Sequence, residues 1–381
     1  MKILYIGKYP LWYKYSYGGE EHVQKIAELM GKRGHEVYLV NSVYGGEHPG
    51  VKYIKVGYVQ VPFVQRIEGK PFPLYPKSTE LSDLVNKIEP DIIHHFARFG
   101  FSLERLKRKQ KIKIPTLNSA IVSGTAETGH SYIGLLIRGK LNSVAGSFCF
   151  RYSVKRADRV ITTSTALAEV VSKECKIPIN EISIIPRGVD ADKFENQPWD
   201  RVERNLIFFA GRLEEGKGVR YIIEAMKHVF KEIPNAKLVI AGEGPGREKF
   251  EDFAQAVAPK NIVFFGKIAH KEMAEWYGKC NVFVMHSKFE PFGAVTVEAM
   301  ASGRPVVVSN AGGSIEIVKN NETGILVEFG DVKGIADAIV KILKDEELAR
   351  KMGEKGRKRI EEEYSWEKEA DRIEEIYEEL I

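Results

Sequence analysis

Two glutamates eight residues apart, Glu290 and Glu298, bracket the stretch EPFGAVTVE. Gly293 sits between them, where a strand-like pattern gives way to a helix-like one. A glycine at a helix start lets bare backbone N–H groups approach a phosphate. A carboxylate holds a vicinal diol well, because each oxygen accepts from one hydroxyl. A sugar at Glu290, a diphosphate at the helix start and a ribose at Glu298 make one consistent ligand. A second group lies in LIFFAGRLEEGKG, where Arg212 follows a strand end and Lys217 precedes a helix. Arginine offers a planar fork and lysine a point charge, so the pair suits a diphosphate leaving group. A third lies at Gly18-Gly19, where a helix pattern begins after the first strand and its loop. That pair is a further phosphate site, although the spacing is not GxGxxG and a dinucleotide fingerprint is absent. Each motif alone also fits a plainer reading, as solvated charges or an ordinary turn. Their shared position at strand ends favours the ligand.

The elements that must hold these residues are short apolar runs, each followed by a helical pattern. Strands are expected at Lys2–Ile6, Glu36–Asn41, Asp91–His95, Pro115–Val122, Arg159–Thr163 and Ile182–Pro186, then at Leu206–Ala210, Lys237–Ala241, Ile262–Phe265, Val282–His286, Pro305–Ser309 and Gly324–Val327. Helices are expected at Glu20–Arg33, Thr165–Lys173, Val219–Lys231, Arg247–Val257, Lys271–Gly278 and Ala294–Ala301, with a charge-rich, almost wholly helical tail after Asp331. Continuous Val/Ile/Leu strands alternating with helices imply parallel sheets covered on both faces. The fold class is therefore α/β, with two doubly wound Rossmann-like domains. In such sheets ligands lie outside the carboxyl ends of the strands, and with two domains the natural site is the cleft where they face each other.

The chain has 381 residues, 44% hydrophobic and 29% charged, the balance of a water-soluble globular protein. The opening ILYI is too short for a secretory h-region, and Tyr132–Phe150 is interrupted by Arg138 and Lys140. Cys149, Cys175 and Cys280 are odd in number and far apart, against a disulfide framework or a zinc site. The expected compartment is the cytosol. Net charge is +5, unevenly spread: 27 Lys/Arg against 16 Asp/Glu in residues 1–185, a net +11, and 30 against 36, a net −6, in the rest. A basic front half points to an anionic partner or to a plain difference in solvated charge.

Taken together the motifs resemble the retaining GT-B glycosyltransferases of the large group-1 (family 4) type. EPFGAVTVEAMASGRPVV is similar to that family's Glu-x7-Glu signature, and AGRLEEGKG to its phosphate-binding strand end. IPRGVDADKF resembles its hinge, AGGSIEIV its loop after the next strand, and YSWEKEADRIEEIYEEL its closing helix. The resemblance implies an N-terminal acceptor domain at 1–187, a nucleotide-sugar domain at 188–363 and a helix at 364–381 returning to the first domain. It implies that Arg212 and Lys217 hold the diphosphate, Glu298 the ribose and Glu290 the donor sugar, with Gly293 at the helix start. Gly18 and Gly19 would reach the diphosphate across the closed cleft. Glu290, Arg212 and Lys217 are the expected catalytic residues. Retention by front-face attack needs no side-chain nucleophile, so catalysis is positioning and leaving-group stabilisation. No metal and no cofactor beyond the nucleotide-sugar co-substrate is implied.

The chain departs from the family at two places. Many members carry a histidine where Ile121 falls by offset from Pro115, and His130 is the nearest downstream candidate. Arg187 stands where the hinge usually has asparagine. His94 and His95 are expected to end a strand toward the cleft, with a plain core residue as the alternative reading for one of them.

The expected activity is transfer of a hexosyl group from a nucleotide-diphosphate sugar to a hydroxyl acceptor. A dense basic run, Arg105, Lys107, Arg108, Lys109, Lys111 and Lys113, precedes the apolar, cation-edged Tyr132–Phe150. That combination suits an anionic membrane surface, hence a lipid or lipid-linked acceptor and peripheral membrane association. The alternatives are a cytosolic transferase to a soluble sugar or sugar phosphate, and a nucleotide-sugar epimerase. A nucleic-acid partner is disfavoured, since the basic half lacks interleaved aromatic and glycine motifs. Base, sugar, acceptor and oligomeric state stay open.

Overall fold

The computed structural model describes residues 1–7, 19–40, 50–54, 56, 58–60, 66–67, 70–71, 73–110, 113–120, 148–194 and 199–381. The chain divides into two compact units, Met1–Arg187 with Trp366–Ile381, and Gly188–Ser365.

In the first unit the strands β1 (Lys2–Ile6), β2 (Glu36–Val40) and β3 (Val51–Ile54) form one side of a parallel sheet. Four short strands follow as two antiparallel pairs: β4 (Tyr58–Gln60) with β7 (Pro73–Pro76), and β5 (Arg66–Ile67) with β6 (Lys70–Pro71). The parallel sheet continues with β8 (Ile92–Phe96), β9 (Thr116–Ser119), β10 (Arg159–Thr162) and β11 (Ile182–Ile184), in the order β11-β10-β9-β8-β1-β2-β3. Why these runs are nearly all apolar is plain from β1. Ile3 and Tyr5 pack with the helices Gly19–Lys32 and Trp366–Leu380 on one face, Leu4 and Ile6 with Ser78–Ile88 and Phe101–Gln110 on the other. A strand covered on both faces has no solvent side to carry polar residues.

The second unit has six parallel strands: β12 (Leu206–Ala210), β13 (Lys237–Ala241), β14 (Ile262–Gly266), β15 (Val282–Met285), β16 (Val306–Ser309) and β17 (Gly324–Val327). Their order is β14-β13-β12-β15-β16-β17. The helix Val219–Glu232 buries Val219, Ile222, Ile223, Met226 and Val229, the i, i+3, i+4 stripe of a sheet-covering helix. Both sheets therefore reverse strand order once, between β1 and β8 and between β12 and β15. Those reversals are the switch points at which open α/β sheets bind ligands.

The sequence expectation of an α/β fold with two doubly wound Rossmann-like units is what the chain adopts. It did not include β3 or the two short antiparallel pairs. Only partly buried and at the sheet edge, β3 has the burial pattern of a strand with one wet face, and VKYI is too short to display a period. Among the described residues no helix is long and apolar enough to cross a membrane. The three cysteines are free and buried.

Candidate functional site

At the switch point of the second unit, β12 and β15 lie side by side and their exits diverge. From β12 the chain runs through Gly211 and Arg212 into a single 3-10 turn, Glu215–Lys217. From β15 it runs through His286 and Ser287 into the loop that ends at Gly293. The exits are stitched together: the Lys288 N–H donates to the Gly216 carbonyl at 2.8 Å. Gly218 has φ 68°, and a Cβ there would stand 1.9 Å from the His286 carbonyl oxygen. No side chain fits that approach. The stitching brings Lys217 Nζ to 2.9 Å from Glu290 Oε2, and Ser287 Oγ donates to the same oxygen at 3.0 Å. Both members of the ion pair are largely buried, 18% and 13% exposed, so the pair is screened less than a surface one.

The Glu290 loop is clamped from behind. The Gly313 N–H donates to the Glu290 carbonyl at 2.7 Å. A Cβ on Gly312 (φ 60°) would lie 2.2 Å from that oxygen, so the AGG turn after β16 presses directly on the Glu290 backbone. Ser309 at the end of β16 adds a bond from its hydroxyl to the Ser287 carbonyl, at 2.6 Å. Gly293, with φ 113°, then turns the chain into the helix Ala294–Ala301; its carbonyl takes the Thr296 and Val297 N–H groups, so the N–H groups of Ala294 and Val295 are the ones with no intrahelical acceptor. Arg212 is more than half exposed, with its guanidinium 3.4 Å from the Glu214 carboxylate. It is a solvent-facing cation on the same strand exit as Lys217.

Glu298 belongs to a neighbouring cluster on the same unit. The Tyr277 hydroxyl donates to its Oε2 at 2.9 Å, and His270 Nε2 lies 3.4 Å from its Oε1. Burial, then the adjacent Glu298 charge, holds the Tyr277 phenol well above its ordinary range. Tyr277 is thus a permanent donor to the carboxylate. His286, at the β15 exit, is buried and accepts the Gly330 N–H at Nε2, 2.8 Å away, while its ring stacks on Phe329. Burial lowers its pKa to about 4, so it is neutral near pH 7.

The second unit corresponds to a family model. The model described as Glycosyl transferases group 1 matches residues 190–359, and that described as Glycosyltransferase Family 4 matches residues 17–193. The chain belongs to the group 1 glycosyltransferases. Among its relatives, an uncharacterized glycosyltransferase of Methanocaldococcus jannaschii is 34% identical over 232 residues, 58% of this chain. The chain spans 59% of the length of that relative. The N-acetyl-alpha-D-glucosaminyl L-malate synthase of Bacillus anthracis is 25% identical over 94% of this chain and 92% of its own. Among solved structures, sucrose-phosphate synthase from Thermosynechococcus elongatus superposes with a TM-score of 0.79 at 22% identity, covering 100% of this chain and 98% of that one. Anabaena HepE in complex with UDP and glucose gives 0.73 at 18% identity, with 100% of both chains covered. These likenesses show a shared GT-B fold of two Rossmann-like units.

The remaining residues singled out in the sequence fall as follows. Gly19 opens the helix Gly19–Lys32; Gly18, Ile121, His130, Arg138 and Lys140 lie outside the described residues. His94 and His95 lie in β8 and both are fully buried, so the plain core reading that the sequence left open for one of them holds for both. His94 bridges the Tyr377 hydroxyl and the Ser119 hydroxyl, each at 2.6 Å, and His95 pairs with Glu104 at 3.0 Å. The helices Trp366–Leu380 and Phe101–Gln110 supply partners on opposite faces of the strand, so polar side chains are accommodated in the core. The basic run is also divided. Arg105, Arg108, Lys109 and Lys113 are exposed, whereas Lys107 turns inward to Asp158 at 2.6 Å and to the Thr116 hydroxyl at 3.1 Å. Lys111 lies outside the described residues. Arg187 places its charge near buried His22, which hydrogen-bonds Glu369 on the last helix.

Sequence reasoning did not find Ser287, Tyr277, His270 or His286. Ser287 had a weak signal, three residues before Glu290. Tyr277 and His270 are 21 and 28 residues before Glu298 and meet it only because two helices pack on the same sheet face.

Proposed function

We propose that the protein is a retaining, metal-independent hexosyltransferase that moves a sugar from a nucleoside diphosphate to a hydroxyl acceptor. The observation that carries this reading is the Lys217–Glu290 pair at the switch point of the second sheet, 2.9 Å apart, with Arg212 on the same strand exit. Cations beside a carboxylate, at the mouth of a helix start, match the two ends of a sugar diphosphate. Lys217 and Arg212 take the diphosphate, Glu290 the hydroxyls of the donor sugar, Gly293 and the following N–H groups a phosphate, and Glu298 the ribose.

In this reading the bond from the anomeric carbon to the diphosphate oxygen breaks while the acceptor oxygen bonds to that carbon on the same face. The acceptor proton passes to the departing phosphate oxygen. Negative charge grows on the diphosphate, where Lys217, held by Glu290, stabilises it as a fixed charge and Arg212 adds a second cation from the solvent side. Glu290, held by Ser287 and Lys217, keeps the sugar in the attack geometry.

The acceptor we propose is a lipid or lipid-linked hydroxyl, met at the membrane surface by a cytoplasmic, peripherally bound enzyme. Support comes from the exposed Arg105, Arg108, Lys109 and Lys113, and from Phe148, 58% exposed, beside Phe101 and Tyr152. Transfer to a soluble sugar or sugar phosphate is the second reading. It is favoured by Lys107, whose engagement with Asp158 thins the basic face. A panel of UDP-, GDP- and ADP-hexoses tests the core of the proposal, with NMR of the product formed on a simple acceptor. Turnover giving the anomeric configuration of the donor, in the presence of EDTA, is expected. An inverted product, or no turnover of any nucleotide sugar, would overturn it.

A further inference from the structure

The sheet of the second unit ends at β17 on one side and at β14 on the other. The β17 edge is blunted, because the Leu326 N–H is taken by the Asn320 side-chain oxygen at 3.0 Å. The β14 edge is open. The Leu238 N–H donates to the Asn261 carbonyl at 2.8 Å, and the register pairs Leu238 with Ile262 and Val239 with Val263. Alternate residues of a strand bond to the same neighbour, so Val263 bonds inward to β13. Ile262 and Phe264 then turn their carbonyls, and Phe264 its N–H, to the open side; the Ile262 N–H is held by the Ala258 carbonyl at 3.3 Å. The strand's one extra residue, at Phe265, comes after this pair: Phe264 stands opposite Ile240 and Gly266 opposite Ala241. The side chains add an apolar face. Phe208, Val239 and Val263 are in register, hence on one face of the sheet. Trp276 of the helix His270–Lys279 stacks on Phe208 there and reaches Phe265, with centroids 4.6 Å apart. Beyond that helix Val263 and Phe265 stay uncovered, 48% and 52% exposed. Edge strands are ordinarily protected by charge or proline, and the run IVFFG of β14 has neither.

We propose that β14 is a self-association edge: two copies of the chain pair this strand antiparallel about a two-fold axis at Val263, joining their six-stranded sheets into one. The backbone groups on the open side fit that axis. The Phe264 N–H donates to the carbonyl of Ile262 of the partner subunit, and the two-fold repeats the bond. Val263 faces Val263 of the partner subunit at a position without ladder bonds, where side chains come closest. Phe265 flanks that β-branched pair on each side, so the two exposed patches merge and cover each other. A second copy suits the edge in charge as well. Lys260 and Lys267, exposed just beyond the strand, fall opposite Gly266 of the partner subunit and Pro259 of the partner subunit, so no like charges meet. A two-fold contact needs such a self-matching patch. Nothing in this pairing depends on the identity of donor or acceptor.

The test joins sedimentation equilibrium of the full chain with cysteine cross-linking. The wild-type mass is expected to rise with concentration from 43.0 kDa toward twice that value. Val263→Lys, which sets two ammonium groups face to face on the axis, should weaken association by about tenfold or more. Its melting temperature in dilute solution should stay near that of wild type, since the side chain is half exposed. Val263→Cys treated with diamide should give a disulfide-linked dimer on a non-reducing gel, because paired Cα atoms there lie about 4.5 Å apart. Phe265→Cys should not, because the two copies of that residue are offset by four residues, about 14 Å. The native cysteines are buried, so wild type treated alike is the blank. If Val263→Lys fails to fold, the cross-linking pair still decides. A single-chain mass at every concentration would overturn the inference, and so would capture of another protein's extended segment on this edge by chains that never pair with each other. A dimer that Val263→Lys leaves intact would place the contact elsewhere and overturn it. Cross-linking through Phe265→Cys in place of Val263→Cys would overturn the axis at Val263.

Discussion

Glu290 and Glu298 are one residue type in two unlike settings, and the difference is measurable. Glu290 is bonded to a lysine and a serine in a loop pinned by Gly312 and Gly313; Glu298 is bonded to a phenol on a helix. Glu298→Ala should weaken both free nucleoside diphosphate and intact donor by about 1.5–3 kcal/mol, the cost of a charged hydrogen bond. Glu290→Ala should lower turnover and leave free nucleotide affinity nearly unchanged. Equal loss of nucleotide affinity in the two variants, read by calorimetry, would sink the division of roles. Lys217→Ala and Arg212→Ala should lower kcat more than they raise KM, because their charge acts on what develops at the leaving group. A residue-scale pH effect follows from His286. Its folded pKa of about 4 lies below the ordinary 6.5, so between those values the unfolded chain binds a proton that the folded one refuses. Stability therefore falls as pH drops from about 6.5 to 4 and this contribution levels off below. At about 1.4 kcal/mol per pH unit the loss is on the order of 3 kcal/mol. Burial lowers His22 and His94 as well, with the same sign. Urea titrations across pH 7 to 4 should show a shallower slope for His286→Phe; an identical slope would mean that His286 does not titrate in this window.

The elements matter through their exits. Parallel strands end in register, so residues just past β12, β15 and β16 are brought together whatever their separation in the chain. The close approaches then depend on glycine. At Gly218 and Gly312 both the positive φ and the contact distance exclude a side chain. Gly312→Ala should cost about 1–3 kcal/mol from backbone strain alone and displace the Glu290 carbonyl. Gly218→Ala should separate the Lys217 turn from His286. Both variants should lose turnover more steeply than stability, since the surrounding sheet is untouched. Urea midpoints beside steady-state rates would check this, and full activity in a variant destabilised as expected would show that the clamp is not needed for catalysis.

For the whole molecule, a ligand that binds only the folded state raises its stability by about 2.7 kcal/mol at a hundredfold excess over Kd. The correct nucleotide sugar should therefore stand out in thermal-shift assays among UDP-, GDP- and ADP-sugars. Membrane association is a second property of the whole molecule. Co-sedimentation with anionic liposomes should fall as salt rises, because exposed charges are screened over about 8 Å at physiological ionic strength. Changing Arg105, Arg108 and Lys109 together to Gln should lower binding further. Lys107→Gln should leave binding nearly unchanged and instead destabilise the fold, because Lys107 is tied to Asp158 and Thr116. No binding at low salt, with full activity on a soluble sugar, would remove the lipid acceptor.

The strands Leu206–Ala210, Lys237–Ala241 and Gly324–Val327 and the helix Ala294–Ala301 have the bounds expected from the chain alone. A strand buried on both faces must be a continuous apolar run, and a glycine at its end marks where the backbone turns, so both signals are local. The positions of Arg212, Lys217 and Glu290 at strand exits could be read the same way. What lay beyond the sequence was pairing between distant side chains. That Lys107 faces Asp158, that His94 and His95 are core residues, and that Tyr277 and His270 gather at Glu298 depends on which helices pack on which sheet face. Such contacts join residues on different elements, with no period and no motif to announce them. They form only when burial of the apolar faces has fixed the elements against one another.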